Sequence, residues 1–332
     1  MVKPLAAAAV VLSLAAVTLV SQNAPERRRP AGFDAVVAAD GTGDYTTIQA
    51  AIDAVPQNTR ADRRWRIAVR NGRYREVVYV QREKRFVHLI GENSEQSVLS
   101  FDLRASANGP NGMPMGTFRT PTLQIDADDF TLENLTVENS AGPDGQALAV
   151  RVDGDRAVFR KVRLLGWQDT VFLNRGRQYF EDCLIAGHVD FIFGGATAFF
   201  ERCEIHVRGD GYITAASTPP EQPHGFVFAN SRITGEPGVH AFLGRPWRDF
   251  AAVVFVNTAM DGVVRPEGWN NWDRPEREKS VRYAEGGSTG EGATAARRVP
   301  WARRLSSSEM SAISVSRVLA GSDRWNPQLV SP

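Results

Sequence analysis

The chain of 332 residues is short of net charge, of cysteine and of long apolar runs. Its 39 basic and 38 acidic side chains leave a formal charge of +1. That balance removes the electrostatic case for nucleic acid or an anionic membrane surface as a partner. Two cysteines, Cys183 and Cys203, can make at most one disulfide. The one long apolar run, residues 5–20, follows Lys3. It has the length of a secretory signal core and is short for a membrane span. Residues 1–24 are therefore read as a signal peptide and 25–33 as a linker, so the protein is expected to be secreted. The basic run Arg27, Arg28, Arg29 keeps an uncleaved anchor open as the alternative. What remains, 42% hydrophobic and 23% charged, is an ordinary globular composition.

Six stretches repeat a pattern: LENLTV (132–137), FRKVRL (159–164), FEDCLI (180–185), FERCEI (200–205), FANSRI (228–233) and FVNTAM (255–260). Each begins and ends apolar, and the starts lie 27, 21, 20, 28 and 27 residues apart. A short strand recurring every ~20–30 residues is the mark of a solenoid. The units lack helical periodicity and leucine-rich-repeat spacing, which leaves a parallel β-helix. Its open ends need covers. Residues 46–55 suit the first, with Ile48, Ala51, Ile52 and Val55 on one helical face and Pro56 as a stop. Residues 306–319 suggest a second helical segment near the other end. The Gly-, Arg- and Ser-rich stretch 261–305 reads as loops along the outside.

Stacked coils hold equivalent positions in register. Asp169 lies ten residues after Phe159, and Asp190 ten after Phe180. The two carboxylates should therefore face each other across ~4.8 Å, the strand spacing. Like charges that close resist ionising together, so one proton is shared and one pKa raised. Alone, either residue could cap a turn; the match favours function. Asp210, at the same offset from Phe200, sits in RGDGY and reads as a turn residue. Cys183 and Cys203 are matched in the same way, each three residues after its Phe, and a disulfide between adjacent coils is sterically allowed.

Five stretches together resemble the pectin methylesterase (pectinesterase) family of carbohydrate esterases: GRYRE (72–76), GQALAV (145–150), GWQDT (166–170), VDFIFG (189–194) and LGRPW (243–247). GTGDYTTIQAAIDAVP (41–56), TFRTPTLQI (117–125), LENLTVENSAGP (132–143) and GWNNW (268–272) support the match, in the family's order across roughly 34–330. The resemblance implies an all-β, right-handed parallel β-helix with short capping helices, as one catalytic domain over 34–332. It also implies cofactor-free, metal-free hydrolysis of galacturonate methyl esters in pectin by a monomer. Carried over by motif, Asp190 is the nucleophile and Asp169 the general acid, then base. Gln146 and Gln168 hold the oxyanion, and Arg245 orients and ionises Asp190. Trp247, Trp269 and Phe118 line the sugar groove.

Two positions depart from the family pattern: Gly195, where Asn or Asp is usual, and His188, where small or hydroxyl residues are usual. Paired acids on a β-helix would also suit a glycosidase, but the two Gln and the Arg serve an oxyanion and a single ionised nucleophile better. A lyase would want a Ca²⁺-binding cluster of acids, which the chain does not show. A related esterase acting on another ester or a thioester shares the motifs.

Overall fold

The computed structural model describes residues 30–330. The expected signal peptide and most of the linker lie outside them. Strands pair in parallel throughout, in one sheet of 11 strands and one of 13. The chain is a parallel β-helix, as the repeat predicts. One coil shows the plan. A strand at Ala157–Arg160 lies in the 11-stranded sheet, and strands at Arg163–Leu165 and Val171–Leu173 lie on two arms of the 13-stranded sheet. The next coil fuses both arms in one long strand, Leu184–Gly194, paired to Arg163–Leu165 and to Val171–Leu173. The strand stacked on it one coil later, Glu204–Ala216, does the same.

The six-residue repeat is a bend rather than a single strand. Its third residue is left-handed in every copy: Asn134, Lys161, Asp182, Arg202, Asn230 and Asn257, with φ from 50° to 56°. Four of the six are Asn or Asp, the non-glycine residues that tolerate this region best. The first residue of each copy points inward. Phe159, Phe180, Phe200, Phe228 and Phe255 form a ladder of stacked rings with centroids 4.3–4.6 Å apart. Each ring thus meets its neighbours at the strand spacing, and the ladder runs through the main core.

The first cover is α1 (Ile48–Asp53), with Ile48, Ala51 and Ile52 buried. Thr47 caps it by accepting the Ala50 N–H. Glu76 of GRYRE accepts the Ile48 and Gln49 N–H groups at 2.7 and 3.0 Å, placing a carboxylate at the helix N-terminus. The other end differs from expectation. Residues 306–319 form two short helices, α2 (Ser307–Ala312) and α3 (Val315–Leu319), that lie along the side of the solenoid. Val315, Val318 and Leu319 pack on Val158, Tyr179, Phe199 and Val227, an apolar strip on the outer face of the 11-stranded sheet that would otherwise meet water. The last coil is covered instead by the segment carrying Val299, Trp301 and Ala302. Nor is 261–305 all loop. Arg282–Gly286 is a further strand of the 11-stranded sheet, with Tyr283 fully buried.

The disulfide allowed by the repeat is not formed: Cys183 and Cys203 are free and buried. They sit on adjacent coils as expected, but each thiol donates to the carbonyl of the phenylalanine one coil back, Cys183 to Phe159 and Cys203 to Phe180. Burial pushes the Cys203 thiol well above its ordinary pKa, so the thiolate needed for exchange is scarce.

Phe228 has a stacked ring on either side. Phe228→Ala should therefore cost about 3–5 kcal/mol, as buried aromatic truncations do, read as a lower denaturant midpoint at unchanged slope.

Candidate active site

Asp169 and Asp190 occupy the bend between the two arms of the 13-stranded sheet. The Asp169 N–H donates to the Val189 carbonyl at 3.0 Å, and Val171 pairs with Ile192, so the two acids are in register on consecutive coils. Both have left-handed backbones, φ 63° and 51°. Both are buried. The bend is kept tight by Gly187, where a Cβ would stand 2.3 Å from that of Phe191. Gln146 and Gln168 pair across the preceding coils, and neither side-chain amide has a hydrogen-bond partner among the described residues.

Arg245 follows the strand Ala241–Gly244 and reaches back over the bend. Its Nε donates to Asp190 Oδ1 at 2.8 Å and its Nη2 to Oδ2 at 2.7 Å. This is the bidentate geometry that binds carboxylates best. Asp169 receives no such partner. Burial, and then the neighbouring Asp190 charge, push its carboxyl up to about 8, against a smaller pull from Arg245. Burial raises Asp190 as well, but there the Arg245 hydrogen bonds and charge act directly in opposition. Asp169 therefore holds a proton at neutral pH while Asp190 carries the charge paired with Arg245.

Aromatic rings flank this centre. Phe118, 43% exposed, lies tilted against Phe172 at 4.9 Å, and Phe172 stacks on Phe193 at 4.7 Å. Trp247 stands edge-on to Phe193 at 5.7 Å. Trp269 is not among them. It is 1% exposed, stacks on Tyr283 at 4.2 Å and donates its indole N–H to Glu285 at 3.0 Å. The second tryptophan of GWNNW takes the place expected of the first. Trp272 follows an Asn270 side-chain turn and a left-handed backbone (φ 59°), and its ring lies 3.7 Å from the Arg245 guanidinium. Trp269 instead pairs with Gly244 and so continues the stack of coils.

Tyr212 was also missed. Counting ten residues from Phe200 gives Asp210, but the chain shifts register twice after Gly187, and Val189 pairs with Tyr212. Asp210 lies within the long strand rather than a turn, exposed, accepting the His240 N–H at 2.7 Å. His188 stands edge-on to Trp167 at 5.6 Å, and burial lowers its pKa, so it is neutral. At Gly195 a side chain would be tight, needing its neighbours to give by a few tenths of an ångström. A Cβ would sit 3.2 Å from the Asn174 carbonyl and 3.3 Å from that of Ser217, on the coils either side.

Paired carboxyls, an arginine on one of them, free amide groups and flanking aromatic rings on a parallel β-helix fit the class of carboxylic ester hydrolases. A pectinesterase family model matches residues 34–322, and the chain belongs to the pectinesterase family. It is 42% identical over 280 residues to Pectinesterase 31 of Arabidopsis thaliana, covering 82% of this chain and 88% of that protein. The pectin methylesterase from carrot superposes with a TM-score of 0.84 at 30% identity, over 92% of this chain and 98% of its own. A pectin methylesterase solved in complex with a hexasaccharide superposes with a TM-score of 0.78 at 32% identity, over 90% and 99% of the two chains.

The raised Asp169 carboxyl has a thermodynamic consequence. Its folded pKa lies above its unfolded one, so its contribution to stability is full below about 4, its unfolded value. That contribution is lost as pH rises to about 8. Asp169→Asn should therefore gain stability over the parent across this window and keep the gain above it, measured by denaturant unfolding at the two ends.

Proposed function

We propose that the chain hydrolyses the methyl esters of galacturonate residues in pectin, releasing methanol and acidic pectin, through an acyl-enzyme on Asp190. The observation that carries this reading is the unequal treatment of two matched carboxyls. Arg245 grips Asp190 with two hydrogen bonds, while Asp169 is held as the acid.

Asp190 attacks the ester carbonyl carbon, and the carbonyl oxygen becomes an oxyanion. The free amides of Gln146 and Gln168 supply the donors for that charge, a contribution of ~3 kcal/mol per donor in acyl-transfer enzymes. The C–O bond to methoxide breaks as Asp169 delivers its proton, and methanol leaves. A water, deprotonated by Asp169, attacks the resulting anhydride. Asp190 is freed and Asp169 regains its proton. No step needs a cofactor or a metal. Among the described residues, no group of three or more His, Cys, Asp and Glu side chains could hold an ion.

Phe118, Trp247 and Trp272 offer flat apolar surfaces to sugar rings, backed by the buried Phe172 and Phe193. A hexasaccharide bound to a similar pectin methylesterase supports an extended groove. We read residues 34–332 as a single catalytic domain, acting as a secreted monomer on cell-wall pectin. One core cluster running from Ala35 to Tyr283 supports the single domain. No helix among the described residues is long and apolar enough to cross a membrane.

Methanol release from methyl-esterified pectin, run beside a short-chain ester and a thioester, tests the substrate. Asp190→Ala should fall to the background rate with unchanged thermal melting, and near-full activity would refute the mechanism. Gln168→Ala should lose about 10²–10³-fold in kcat. The kcat/KM profile should fall on the alkaline side near pH 8, where Asp169 loses its proton. Asp169→Asn should lose most of its activity, and an alkaline limb that persists near pH 8 in its residual rate would assign that limb to another group.

A further inference from the structure

The Arg245 guanidinium is held on both faces as well as along its edge. The Tyr212 and Trp272 ring centroids lie 3.9 and 3.7 Å from its Cζ, a closeness that leaves room for the two rings only on opposite faces. Tyr212 is itself backed by Phe242, stacked at 5.4 Å and 12°. Its place is set by the register shift that lengthens the coil after Asp190. Without that shift, the position would not come under Arg245.

A guanidinium between two rings keeps its in-plane N–H groups free, so the rings restrict tilt without competing for donors. The plane they impose is the one in which Nε and Nη2 both reach Asp190. We propose that Tyr212 is a positioning residue for ester hydrolysis, its ring clamping Arg245 against Trp272 so that both arginine donors stay on Asp190 through turnover. The proposal rests on the reading of Asp190 as the nucleophile. Trp272 has a second duty in the groove, so Tyr212 is the member whose effect can be separated from sugar binding.

The groups that act on Asp190 are known from every side. Asp169 faces it from the coil before and Arg245 from the coil after. His188 sits on its own strand, with Arg208 beside His188, and the buried Tyr283 lies within its electrostatic reach. Of these, Arg245 is the main group that offsets the burial of Asp190, with a smaller pull from His188. A loosened Arg245 leaves burial less opposed, so Asp190 ionises at higher pH.

The test is the pH dependence of kcat/KM for methanol release from methyl-esterified pectin. The variants are Y212F, Y212L, Y212M and D190A, each checked by thermal melting. Y212F keeps the ring and should overlay the parent. Y212L and Y212M should move the acid limb up by about half a pH unit or more, the size of a lost cation–π contact. KM should stay within about twofold, as expected when ground-state binding is untouched. Fluorinated phenylalanines at position 212 hold the shape while draining the ring face of charge, and should move the limb in order of fluorination whether or not the aliphatic variants fold. With D190A inactive, an acid limb unmoved by either series overturns the role of Tyr212 and leaves that of Asp190 standing. An active D190A overturns both.

Discussion

Everything in the site depends on one spacing. Stacked strands stand ~4.8 Å apart, and a coil that repeats in register puts like residues at that distance. Applied to phenylalanine, the spacing builds a ladder of stacked rings. Applied to aspartate in a dry bend, it builds a pair that cannot both be charged at low cost. The same constraint thus stabilises the core and loads the active site. Arg245 decides which acid keeps the proton, because it reaches Asp190 with two hydrogen bonds and Asp169 with none.

The coil before and the coil after the pair are not equivalent, and the difference makes the site. Upstream, the chain repeats closely enough for Gln146 and Gln168 to pair and present free amides side by side. Downstream, extra residues break the register, so Tyr212 rather than a third carboxylate comes opposite Val189, the neighbour of Asp190. A third acid would have competed for Arg245. A ring instead supports its guanidinium face. Regularity positions the reacting groups, and one local irregularity sets the electrostatics around them.

How much was legible in the sequence follows from this. Features that repeat in register could be counted: the β-helix, the pairing of Asp169 with Asp190, and the first helical cover. Features that depend on a break in register could not. Tyr212 was hidden by the shifts after Gly187, and counting landed on the exposed Asp210. Trp269 was chosen over Trp272 because a motif does not say which of two tryptophans continues the coil and which turns out over the site. The C-terminal helices were placed at the end because capping is what an open end requires. The outer strip of Val158, Tyr179, Phe199 and Val227 that they cover is assembled from several coils and is invisible in any single stretch. The two cysteines were adjacent as counted. Adjacency does not make a bond, and both stay free and buried.

The central claim is that the resting enzyme holds one proton on Asp169 beside an ionised Asp190. Infrared difference spectroscopy of the free enzyme reads this directly, because a protonated carboxyl has a carbonyl stretch that a carboxylate lacks. One such buried band is expected at neutral pH, disappearing as pH passes about 8 and absent from Asp169→Asn. A band that vanishes near the ordinary aspartate range of about 4, or one that persists in Asp169→Asn and is lost in Asp190→Asn, would contradict it.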